Sequence, residues 1–158
     1  MGNIFAGSEI LEIGIQIERN GKDFYETIAA QTKSPKAKDI FTYLAGEEAK
    51  HIQAFQGILG SLEKYEPQGL DSDEYYAYMN ALASESVFTQ KDKGKELAKR
   101  VKSDKEAIEM GIAAEKDSIV FYEGIKKVVP EYDHKAIDAV ITQEQGHLRE
   151  LLDLKSGV

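Results

Sequence analysis

Residues 12–28 and 109–125 align without a gap at an offset of 97. Glu12, Gly14, Ile15, Glu18, Phe24, Tyr25, Glu26 and Ile28 are matched by Glu109, Gly111, Ile112, Glu115, Phe121, Tyr122, Glu123 and Ile125, giving 8 identities in 17 positions. A second match follows each copy at an offset of 96, where Glu48 and His51 fall on Glu144 and His147, Leu44 on Val140 and Phe55 on Leu151. Duplication of a helix pair is the simplest account. Two such pairs about a pseudo-two-fold axis would bring four Glu and two His together at mid-bundle.

The spacing inside each copy is helical. Leu11, Ile15, Phe24, Tyr25 and Ile28 predict a first helix from Ile10 to Ala30, with Ser8 as its N-cap. Glu18 falls within its apolar stripe, where an unpaired carboxylate is costly to bury. Ser34 as N-cap and Pro35 in the first turn start a second helix, about Lys36 to Ser61. Its inner face carries Ile40, Phe41, Leu44, Glu48, His51, Phe55 and Leu59. Ser103-Asp104-Lys105-Glu106 has the form of a capping box and opens a third helix running past Glu115 and Tyr122 towards Val129-Pro130. Asp133 is the expected cap of the fourth, whose buried side holds Ile137, Val140, Ile141, Glu144, His147, Leu148, Leu151 and Leu154. Residues Lys155 to Val158 are expected to fray.

Between the pairs, Pro67, Gly69 and Gly94 break the pattern, and two short helices are expected: Asp71 to about Ser84, and Glu96 to Lys102 after Thr89. So long a connection needs a purpose. A helix of about 25 residues is roughly 38 Å long. If the second and third helices are parallel, the linker crosses that whole length. The expected fold is therefore all-α, an antiparallel four-helix bundle with one long helical crossover, in a single domain over 1–158. Its helix pairs span about 8–61 and 103–156, and its crossover about 62–102.

Glu48 and His51, like Glu144 and His147, are three residues apart and share a helix face. Two Glu-x-x-His helices plus two helices with one Glu each form the ligand set of a carboxylate-bridged di-iron or di-manganese centre. Glu48 and Glu144 are assigned as bridges, Glu18 and Glu115 as terminal ligands, and His51 and His147 as one cap for each metal. Four carboxylates balance two divalent ions, and the mixed O/N set suits iron or manganese, with zinc as a substitute. Tyr25 and Tyr122 lie two turns from Glu18 and Glu115 on the same face. They are candidate hydrogen-bond partners of ligating carboxylates, or electron donors to a bound oxidant, against the alternative of ordinary core tyrosines. Glu47 points about 100° away from Glu48 and is expected in solvent. Glu12, Glu26, Glu109 and Glu123 read as surface charge, and His134 as an exposed histidine. Tyr75-Tyr76-x-Tyr78-Met79 reads as a docking surface, against the bundle or a second subunit.

Bulk properties narrow the classes. With no cysteine the chain forms no disulfide, iron–sulfur cluster or rubredoxin-type iron site. Its net charge of −8 argues against nucleic acid as a partner. Met1 to Ser8 lack the pattern of a secretory leader and no apolar run is long enough to span a membrane, so the cytoplasm is the expected location.

Ile17-Glu18-Arg19-Asn20-Gly21-Lys22-Asp23-Phe24-Tyr25, Glu47-Glu48-Ala49-Lys50-His51, Ala114-Glu115-Lys116-Asp117-Ser118 and Glu144-Gln145-Gly146-His147 resemble the rubrerythrin branch of the ferritin-like superfamily. The likeness covers nearly the whole chain. It implies a protein with two iron ions that reduces hydrogen peroxide in oxidative-stress defence, or reacts with dioxygen, or oxidises Fe(II), often as a homodimer. Rubrerythrins proper add a four-cysteine rubredoxin domain. Without one, a peroxidase of this kind draws electrons from a separate protein such as a rubredoxin, or from Fe(II). Rubrerythrins also carry an additional Glu one turn before the third-helix ligand, where this chain has Ile112. The resemblance then implies a more symmetric six-ligand set, of the bacterioferritin type. A reading of another class is a binding or regulatory module that the metals merely stabilise.

Overall fold

The computed structural model describes residues 7–62 and 72–157. Among them are six α-helices and no strand: α1 (Gly7–Gln31), α2 (Pro35–Leu59), α3 (Ser72–Glu85), α4 (Lys93–Arg100), α5 (Asp104–Ile125) and α6 (Glu131–Ser156). Helices α1, α2, α5 and α6 form the four-helix bundle. α1 packs along α2 and α5 along α6, and the pairs meet through α1 against α5 and α2 against α6. Short connections within each pair make its members antiparallel. The expected breaks at Pro67 and Gly69, the helix start at Asp71, the residues before Gly7 and Val158 lie outside the described residues, whereas Lys155 and Ser156, expected to fray, form the end of α6.

Local chemistry sets most helix ends. The Ser34 hydroxyl accepts from the Ala37 N–H at 3.2 Å, with Pro35 at the first helical position. Ser103 accepts from the Glu106 N–H at 3.1 Å, while Glu106 reaches back to the Lys102 N–H at 2.8 Å, one residue before the box pattern predicts. Two expected caps are not used. Ser8 stands inside the first turn of α1. Asp133 stands inside the first turn of α6, which starts directly after Pro130. Pro130 holds the N-cap position with no side-chain cap, and its carbonyl accepts from the Asp133 N–H at 2.9 Å. The third helix ends at Ile125, and a 3₁₀ turn over Lys126–Val128 carries the chain to Pro130.

The crossover is fastened by one residue from each half of the repeat. Asn20 is fully buried on α1 and donates to the carbonyls of Phe88 at 2.6 Å and Gln90 at 2.7 Å. Its own side-chain oxygen accepts from the Gly94 N–H at 3.0 Å. Asp117, at the matching position on α5, accepts from the Val87 N–H at 2.9 Å. α4 consequently lies so close to α1 that a Cβ at Gly94 would sit 2.0 Å from the backbone oxygen of Asn20. α3 docks on α5 through Met79, which is buried, and through Tyr75, whose hydroxyl donates to the Gly124 carbonyl at 2.7 Å. The tyrosine cluster thus splits: Tyr75 and Met79 face the bundle, and Tyr78 is exposed.

The contact at Gly94 is backbone against backbone and has no flexible neighbour to give way. Gly94→Ala should lower the unfolding free energy by about 1–3 kcal/mol or more. Gly57→Ala, on α2 with nothing within 4 Å of its Cβ, should raise it by about 0.5–1 kcal/mol. Urea unfolding of both variants checks the pair.

Candidate metal centre

The bundle interior is apolar until its middle, where six polar side chains converge. Glu18 comes from α1, Glu48 and His51 from α2, Glu115 from α5, and Glu144 and His147 from α6. Each is between 0 and 3 % exposed. The structure brings together all six residues singled out by the repeat. Their donor atoms fall into two overlapping groups, Glu18, Glu48, His51 and Glu144, and Glu48, Glu115, Glu144 and His147, each with its atoms within 4.8 Å of one another. Glu48 and Glu144 belong to both groups. That is the geometry bridging carboxylates require.

Both imidazoles turn Nδ1 inward. His51 Nδ1 lies 2.9 Å from Glu18 and 3.2 Å from Glu144. His147 Nδ1 lies 3.0 Å from Glu144 and 3.9 Å from Glu48. The two rings stack with centroids 5.7 Å apart. Glycine makes room for the surrounding aromatic layer: a Cβ at Gly111 would meet the Tyr25 ring and hydroxyl at 3.3 Å.

The tyrosines do reach the carboxylates, but across the repeat. Tyr25 on α1 donates to Glu115 at 2.8 Å, and Tyr122 on α5 donates to Glu18. Sequence spacing left open which of the glutamates each phenol would reach. α1 and α5 pack against each other, and each phenol lands on the glutamate of the counterpart helix.

Burial and mutual repulsion dominate the electrostatics of the metal-free protein. Burial raises Glu48 and Glu115 well above the ordinary carboxylate value, and the charge of Glu144 adds to both. Glu144 rises to about 7, through burial and then the charge of Glu18. Burial also pushes Glu18 up, but hydrogen bonds with Glu48 and His51 outweigh it and leave it lowered. Burial alone would lower His51; its hydrogen bonds to Glu144 and Glu18 carry it up to about 11 instead. Burial lowers His147, despite the charge of Glu115. Both phenols are raised, by burial and then by the glutamates they face, and so stay protonated as donors.

This donor set fits a pair of divalent cations. Four buried carboxylates with a single raised imidazolium among them are under-compensated, and two divalent ions supply the missing positive charge. Glu115 Oε2 is buried with no hydrogen-bond partner, an acceptor that a cation would satisfy.

Some placements differ from the sequence reading. Glu47 is half-buried, not solvated, with Oε2 3.9 Å from His147 Nε2. The flank of α2 that bears it is covered by α6. His134 is also half-buried, and its Nε2 bonds to the carbonyls of Lys126 at 2.7 Å and Val129 at 3.2 Å, at the end of α5. Gln143, which the sequence did not single out, holds His51 Nε2 at 2.7 Å. Its only signal was that it matches Glu47 in the repeat. Glu12, Glu26, Glu109 and Glu123 are exposed, as expected.

The sign of the metal-free protein's pH dependence follows. Glu48, Glu115, Glu144 and His51 have folded-state values above their unfolded ones. Their contribution is complete below the unfolded values and is lost as pH rises through the folded ones. Glu18 and His147 have the opposite sign: Glu18 acts only below the ordinary carboxylate range, whereas His147 acts just below the ordinary imidazole value and offsets part of the fall. The melting temperature of metal-free protein should fall between about pH 5 and pH 8. Added divalent metal should raise it more at the higher pH, because binding displaces protons. Calorimetry at both pH values checks this, and a rise with pH in metal-free protein contradicts it.

The sequence profile of the Rubrerythrin family matches residues 9–155. No curated protein matches the sequence significantly. Among solved structures, a Thermotoga maritima protein assigned to the ferritin-like diiron-carboxylate class superposes with a TM-score of 0.71 at 24% identity, over 99% of this chain and 98% of that one. This likeness bears on the fold, and the fold is the same ferritin-like bundle. The family match spans nearly the whole sequence and takes in all six clustered residues, so the chain belongs to the rubrerythrin family.

Proposed function

We propose that this protein is a non-haem di-iron oxidoreductase that reduces hydrogen peroxide. The observation that carries the reading is the pair of overlapping donor groups that share Glu48 and Glu144. Glu18 and His51 would hold one iron and Glu115 and His147 the other, with Glu48 and Glu144 common to both. A reduced iron pair supplies the two electrons that, with two protons, convert hydrogen peroxide to two waters.

The chain's own residues do the rest. The six clustered side chains are themselves buried, which keeps bulk water from them. The hydroxyls of Tyr25 and Tyr122 fix the terminal carboxylates Glu115 and Glu18 and keep a proton beside each. These residues include no cysteine to hold a rubredoxin-type iron, so the electrons would come from a redox protein such as a rubredoxin or from Fe(II).

One observation favours a second reading, oxidation of Fe(II) in iron handling. The residue one turn before Glu115 is Ile112, buried and apolar, so the α5 side offers no further carboxylate. Peroxide and iron assays separate the two readings. Reduced, iron-loaded protein should consume peroxide catalytically when supplied with electrons. Zero turnover with both irons retained would sink the peroxidase reading, and uptake and oxidation of added Fe(II) in its place would establish the second.

The ligand map predicts unequal mutants. Glu48→Ala or Glu144→Ala should abolish binding at both positions, whereas Glu18→Ala or Glu115→Ala should leave about one metal per chain. Metal analysis after dialysis checks this, and full occupancy in Glu48→Ala or Glu144→Ala contradicts the bridging assignment.

A further inference from the structure

Residues 47 and 143 occupy the same place in the two halves of the repeat, one position before each Glu-x-x-His. One is a glutamate and the other a glutamine. Each faces the imidazole of the opposite half. Gln143 Oε1, on α6, accepts from His51 Nε2 at 2.7 Å, while His51 Nδ1 points into the carboxylate cluster. His147 likewise turns Nδ1 inward, but its outward Nε2 is buried without a hydrogen-bond partner. Glu47 Oε2, on α2, stands 3.9 Å from that atom, and its other oxygen is 3.0 Å from Lys50. Tyr43 sets its ring edge-on to the His147 ring, with centroids 6.0 Å apart.

We propose that Gln143 and Glu47 are positioning residues, each orienting the metal-facing imidazole of the opposite half, and that an amide behind one and a carboxylate behind the other make the two metal positions unequal. The inference rests on the dinuclear reading of the six clustered residues. A ligating imidazole donates its second N–H to an outer partner, which fixes its tautomer and ring plane and raises its basicity. At His51 that partner is in place. At His147 the outward Nε2 has no hydrogen-bond partner, and the carboxylate that faces it is Glu47, 3.9 Å away, which would close on it when the imidazole takes up a metal. An ionised acceptor makes the stronger hydrogen bond. His147 becomes the better donor, and its metal is held more tightly than the one at His51.

Co(II) titration of metal-free protein, followed by visible absorption and calorimetry, tests this. The parent should bind two Co(II) in steps about tenfold or more apart. Glu47→Gln should weaken the tighter step about tenfold and draw the two together. Gln143→Leu should weaken only the looser step, by about tenfold or more, and Gln143→Glu should restore it. Melting of the metal-free variants separates altered ligation from lost structure. The near-isosteric Glu47→Gln and Gln143→Glu decide the matter even where the Leu variant does not fold. Titrations of these two that match the parent would overturn the positioning roles and leave the dinuclear site standing. A parent that binds no Co(II) would overturn both.

Discussion

Four carboxylates share one buried volume at the centre of this bundle, and every nearby feature answers their mutual repulsion. In water-poor surroundings an uncompensated cluster of this kind would force its members to take up protons or the helices to separate. In the metal-free protein, His51 meets part of the demand by holding its proton against Glu18 and Glu144. The rest falls on raised carboxylates. Two divalent cations would remove the conflict, so the same feature that weakens the empty bundle would favour their binding.

The duplication shapes how the cluster is supported. Each half provides one Glu helix and one Glu-x-x-His helix, but the supporting contacts cross between halves. Tyr25 serves Glu115, Tyr122 serves Glu18, and Gln143 serves His51. These crossing contacts tie the cluster to the docking of one pair on the other, while His51–Glu18 and His147–Glu144 join residues of the same half. The crossover obeys the same logic: Asn20 and Asp117, equivalent in the repeat, bind the neighbouring linker residues Phe88 and Val87. An ancestral symmetry persists in position while its chemistry has diverged, most plainly at Glu47 and Gln143.

The sequence made legible whatever depends on neighbours along one helix. Apolar spacing located the bundle helices, and the repeat isolated Glu18 and Glu115 from the many surface glutamates. Three-residue spacing paired each Glu with its His. What stayed hidden depends on contacts between residues far apart in the chain. Which carboxylate each phenol would reach could not be read from one helix, because it depends on how α1 and α5 pack against each other. Glu47 looked solvated because helical phase places it off the inner face but says nothing of the flank that α6 covers. Asn20 looked like any other polar residue; its role arises only when the linker lays Phe88, Gln90 and Gly94 against it.

The account depends on two metal ions lying between these helices and sharing Glu48 and Glu144. The most direct test is anomalous X-ray scattering at the iron edge, from crystals of protein purified without oxygen. The account predicts two iron peaks per chain, one beside His51 and one beside His147, with both in contact with Glu48 and Glu144. A single peak, or none within the cluster in iron-replete protein, would contradict it.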